Sequence, residues 1–126
     1  MLINRLYSIL SCDTPAADIV KFKVKLNPDY AIYKGHFPSN PITPGVCLVQ
    51  LCCELSETFY QRPLRITKAK NIKFTKLLKP QEYPIVDCQL SFEASNGFLF
   101  VKSTIFCEEV QFCKMNLELN DIGNEK

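Results

Sequence analysis

At 126 residues the chain is long enough for one domain with its own core and too short for two ordinary ones. Apolar residues make up 47% and charged residues 22%, a balance that excludes a disordered chain, and no run approaches the roughly 18 apolar residues needed to span a bilayer. A net charge of +2 is too small to argue for nucleic acid by itself.

In chain order, residues 4–11 read as a short strand, and 12–18, with Pro15 and two aspartates, as a turn. Residues 19–26 alternate cleanly, Val20, Phe22, Val24 and Leu26 against Lys21, Lys23 and Lys25, which predicts a strand with one buried face. From Asn27 to Gly45 the prolines at 28, 38, 41 and 44 predict a structured loop without regular elements. Thr43 is the expected N-cap and Pro44 the first residue of a helix that runs to about Tyr60 and stops before Pro63. Four strands follow, at 66–74, 83–92, 98–107 and 110–119, separated by turn signals, with a polar tail expected from 119 to 126. Between Val46 and Leu55 only Gln50 and Glu54 are polar, so the helix must be wrapped on most sides. The order predicts one α+β domain over 1–126, a curved antiparallel sheet around a single helix, with a paired subunit available to cover the rest.

Seven cysteines, an odd number with Cys52 and Cys53 adjacent, read as reduced core thiols of a cytosolic protein. With no C-x-x-C pair and one histidine, the chain is expected to hold no metal. Asn4 and Arg5 interrupt the apolar start, so no export signal is expected, and the reduced thiols give a cytoplasmic location as the expectation. Cys47, Cys52 and Cys53 lie on the helix with no base nearby to activate them, and are read as filling.

The segment 35–45, GHFPSNPITPG, carries the chemistry. Three prolines at three-residue spacing stiffen the backbone around His36, the one histidine, as a catalytic group needs. Gly45, at the helix start, offers a backbone N–H and the positive end of the helix dipole to a carbonyl oxygen that gains charge. A lone histidine can also be merely structural, and Gln50, Glu54, Glu57 and Gln61, at spacings of four, three and four, read equally as the solvated stripe of an amphipathic helix.

G-H-F-P-x-x-P-x-x-P-G opening a helix resembles the signature of the 3-hydroxyacyl-acyl-carrier-protein dehydratases. The stretch Lys70-Asn71-Ile72-Lys73-Phe74-Thr75-Lys76, running into Lys79-Pro80-Gln81-Glu82, is similar to the strand and turn that follow the helix there. The resemblance covers most of residues 19–107. It implies a hotdog fold, a homodimer or dimer of that type, and an interface tunnel for an acyl chain on phosphopantetheine, with no cofactor of the protein's own. It also implies elimination of water to a trans-2-enoyl thioester: His36 removes a C2 proton, the Gly45 N–H binds the thioester carbonyl, and a carboxylate on the partner's helix protonates the leaving hydroxyl. Tyr33, Phe37, Val46 and Val49 are the expected tunnel lining. Arg65, Lys68, Lys70 and Lys73 are the expected docking edge for an acidic acyl carrier protein, although exposed lysines also guard a strand edge against aggregation.

One position departs from the family pattern. Fourteen residues after the histidine the family has Glu or Asp, and this chain has Gln50; four residues on, where the family often has Gln, it has Glu54. A carboxamide cannot give a proton to a leaving hydroxyl. The exchange admits three readings: Glu54 supplies the acid with Gln50 positioning the hydroxyl or a water; the chain is the impaired, acyl-thioester-binding subunit of a heteromeric dehydratase; or the site performs another thioester reaction such as hydrolysis.

Overall fold

The computed structural model describes residues 1–35 and 39–121. Its elements are β1 (Tyr7–Ala16), β2 (Ile19–Leu26), a short 3-10 helix (Ala31–Gly35), α1 (Gly45–Tyr60), β3 (Leu64–Phe74), β4 (Ile85–Ser95), β5 (Phe98–Cys107) and β6 (Val110–Asp121). The strands form one antiparallel six-stranded sheet in the order β1-β2-β4-β5-β6-β3, so β1 and β3 are its edges.

Period-two patterning explains the sheet. Val20, Phe22, Val24 and Leu26 on β2, Val86, Cys88, Leu90 and Phe92 on β4, and Met115, Leu117 and Leu119 on β6 are all buried on the inner face. Against them α1 packs Leu48, Leu51, Cys52 and Leu55, none more than 3% exposed. The expectation of a helix wrapped on most sides holds, since Leu51 through Ser56 form an unbroken buried run that includes the charged Glu54.

Several boundaries differ from the sequence reading. β1 continues through the expected turn to Ala16, although Pro15 interrupts it; an edge strand tolerates a missing N–H, and the register slips between Asp13 and Ala16. The expected loop contains the 3-10 helix at Ala31–Gly35, a single tight turn that fits ahead of the proline spacing. The helix begins one residue late, with Pro44 in extended geometry as its cap. Thr43 does not cap it: its side chain bonds the Tyr33 hydroxyl at 2.8 Å, and its N–H donates to the Leu78 carbonyl. At the other end Gln61 turns into the left-handed region at φ 55°, which stops α1 before Pro63. β6 keeps its pairing through Asp121, opposite Leu64; residues 122–126 of the expected tail lie outside the described residues.

Two bulges in β3 set the direction of its charged side chains. The register with β6 slips between Ile66 and Lys68 and again between Lys70 and Lys73, where Asn71 sits at φ 52°. Arg65, Lys68, Lys70 and Lys73 therefore pair with Asn120, Glu118, Asn116 and Lys114, alternate residues of β6, and share the outer face of the sheet.

All seven thiols are free, and five, Cys47, Cys52, Cys53, Cys88 and Cys113, are buried. Burial pushes Cys52 and Cys53 up to about 12 and Cys113 to about 11, against the pull of the Ser103 hydroxyl on Cys52. These thiols stay protonated in the folded chain while those of an unfolded chain ionise near 9, so folded protein binds more protons above that pH. Stability is complete below about pH 9 and falls above it, by about 1.4 kcal/mol per pH unit for each such thiol. Urea unfolding at pH 8 and pH 10 measures the slope, and a flat profile contradicts it.

Candidate active site

The segment leading into α1 is tied down from both sides, by Tyr33 on the 3-10 helix and by Leu78 beyond β3. His36 and Phe37 lie outside the described residues. Gly45 is the first residue of α1, so its N–H is among those without an intrahelical acceptor. The Phe74 ring lies over its Cα: a Cβ built at Gly45 would sit 2.7 Å from the ring's Cζ. Phe74, 53% exposed at the end of β3, carries no polar atom and went unnoticed as a site neighbour in the sequence. Gly45→Ala gains helix propensity but pushes this ring outward, and because the ring is exposed the net change in stability is within about 1 kcal/mol. Thermal unfolding, together with the displaced aromatic resonances of Phe74, checks both halves of that expectation.

Of the expected tunnel residues, Tyr33 is buried in the core with its hydroxyl on Thr43, Val49 is half-buried against the core, and Val46 is 74% exposed at the helix start. Arg65, Lys68, Lys70 and Lys73 are all exposed. A cavity of about 390 Å³ on the outer face is lined by Asn71, Lys73, Lys102, Thr104 and Lys114 among others, with no carboxylate in its lining.

The polar centre of the helix is Glu54, with 0% exposure. Its Oε1 accepts the Ile3 N–H at 2.9 Å, the Leu2 N–H at 3.1 Å and the Tyr7 hydroxyl at 3.1 Å. Its Oε2 accepts the Leu2 N–H at 2.9 Å and Gln50 Nε2 at 2.9 Å. Burial, with the Glu54 carboxylate beside it, holds the Tyr7 hydroxyl well above the ordinary phenol range, so it keeps its proton for this bond. Glu54 is thus an acceptor surrounded by donors from the N-terminal segment, β1 and its own helix. Of the solvated stripe only Glu54 is withdrawn from solvent: Gln50 and Glu57 are half-buried and Gln61 is exposed.

Residues 13–115 match the family model described as ApeI-like, ApeI dehydratase. The chain belongs to the ApeI-like dehydratase family. Its curated relatives include the 3-hydroxyacyl-(acyl-carrier-protein) dehydratase FabZ of Lactiplantibacillus plantarum, 30% identical over 108 residues, covering 75% of this chain and 72% of that one. The FabZ of Fusobacterium nucleatum is 30% identical over 109 residues, covering 82% of this chain and 72% of that one. Among solved structures, the dehydratase heterocomplex ApeI:P from Xenorhabdus doucetiae aligns at TM-score 0.70 and 17% identity over 89% of this chain and 96% of the other. A hypothetical thioesterase with coenzyme A from Streptococcus pneumoniae aligns at TM-score 0.62 and 14% identity over 90% of this chain and 83% of that one. These alignments show that this member of the dehydratase family has the hotdog fold. No helix among the described residues is long and apolar enough to cross a membrane.

Proposed function

We propose that this chain supplies the base and the oxyanion amide of a cytoplasmic 3-hydroxyacyl thioester dehydratase, and that the acid comes from a carboxylate on a second, related subunit. His36 takes the C2 proton, the electron pair forms the C2–C3 double bond, and the C3–O bond breaks. The hydroxyl leaves as water with a proton from that carboxylic acid, and the Gly45 N–H holds the thioester oxygen while charge builds on it.

The observation that carries this reading is the state of Glu54. An acid for the leaving hydroxyl must have a proton and reach the ligand; Glu54 is fully buried, and every group bonded to it donates to it. Gln50, at the place of the family's acid, has no proton to give. A subunit with a base but no acid makes sense in a pair, and a dehydratase heterocomplex among its structural neighbours is in keeping with that. The basic outer face, with Arg65, Lys68, Lys70 and Lys73 aligned by the two bulges, suits an acidic carrier that delivers the acyl chain on phosphopantetheine.

Incubating the purified chain alone with a 3-hydroxyacyl carrier and following both enoyl product and free thiol tests the reading. Neither product above the level of His36→Ala is expected. Enoyl product that disappears with Glu54→Gln would restore Glu54 as the acid, and released thiol would make the protein a thioesterase.

A further inference from the structure

Gln50 is the residue this fold leaves in the acid's place, and its amide is not free to turn. Glu54 Oε2 is an acceptor, so the Gln50 atom that meets it at 2.9 Å is the donor nitrogen. Flipping the amide would set two oxygens against each other. Glu54 itself cannot give way, because the backbone N–H groups of Leu2 and Ile3 and the Tyr7 hydroxyl hold it from the opposite side. With Nε2 committed, Oε1 is the outward atom. It has no hydrogen-bond partner among the described residues, and no buried side-chain nitrogen or oxygen among them lacks a partner, so Oε1 is not enclosed by them and is free to accept a further hydrogen bond.

Resting on the acyl-thioester reading, we propose that Glu54 is a positioning residue that locks the Gln50 carboxamide with Oε1 toward the ligand, and that Oε1 accepts a hydrogen bond from the 3-hydroxyl of the acyl chain. The site then selects 3-hydroxyacyl thioesters from acyl thioesters without the hydroxyl. A locked acceptor recognises a donor; it does not recognise a 3-oxo group, which can only accept.

Titration of the full chain with 3-hydroxydecanoyl-pantetheine and with decanoyl-pantetheine measures the preference as a ratio, which a general loss of folded protein leaves unchanged. The hydroxylated ligand is expected to bind about 5-fold tighter, the yield of one neutral hydrogen bond. Gln50→Leu removes the acceptor and brings the ratio to about one. Glu54→Gln, whose amide can face Gln50 with either end, also reduces the ratio while decanoyl-pantetheine still binds. Equal binding of the two ligands by the unaltered chain, or a preference that survives Gln50→Leu, overturns the proposal and leaves the acyl-thioester reading standing. If neither ligand binds, that reading fails and the proposal fails with it.

Discussion

Glu54→Ala lowers the stability of the chain by about 3–5 kcal/mol, the range for breaking a buried charged network by removing one partner. The carboxylate is the common acceptor for the backbone N–H groups of Leu2 and Ile3, the Tyr7 hydroxyl and the Gln50 amide. Each donor left without a partner in a buried setting costs about 1–3 kcal/mol, and those that escape to water take the N-terminal segment with them. Tyr7→Phe removes one donor and leaves the carboxylate with the others, so its cost is nearer ~1 kcal/mol. Urea unfolding reads both: the midpoint falls with little change in slope if the native state alone is weakened. A loss below about 1 kcal/mol for Glu54→Ala would mean that the carboxylate does not clasp the N-terminal segment to the helix.

Gln50→Glu is expected to raise the dehydration rate of the chain on its own by about 100-fold to 10,000-fold, the usual contribution of a positioned general acid. The substitution puts a second carboxyl beside Glu54, at a position now 2.9 Å from it through Gln50 Nε2. Glu54 is already held as an acceptor by the Leu2 and Ile3 N–H groups and the Tyr7 hydroxyl, which leaves the new carboxyl at residue 50 as the one able to serve as the acid. Steady-state formation of the enoyl thioester, with His36→Ala in the same background as the control, measures the gain. No gain in a folded, ligand-binding Gln50→Glu protein would mean that the missing acid is not what limits the chain.

The fold was largely legible because its signals are strong ones. Alternation in residues 19–26 and the all-but-apolar run from Val46 to Leu55 leave few ways to bury both except a sheet around one helix. Local chemistry failed where tertiary partners took over: Thr43 has the side chain of an N-cap, but Tyr33 claims its hydroxyl, and Pro15 reads as a turn until β1 is seen to be an edge. Arg65, Lys68, Lys70 and Lys73 were legible as charges but not as a face, because spacings of three, two and three align only through bulges that register alone shows. The exchange of Gln50 and Glu54 was visible as a departure, and its consequence was not. Two of the groups that bind Glu54 are backbone N–H groups some fifty positions away in the chain, to which sequence composition is blind.

If one chain holds the base and lacks the acid, two chains with opposite defects must complement each other when mixed. The unaltered protein is one component, and the double variant His36→Ala with Gln50→Glu, which has an acid and no base, is the other. Each alone is expected to leave a 3-hydroxyacyl carrier substrate unchanged. The mixture, once subunits exchange, is expected to form the trans-2-enoyl product by pairing His36 of one chain with Glu at position 50 of the other. Turnover by the unaltered protein alone, or a mixture that exchanges subunits and stays silent, would overturn this division of labour between subunits.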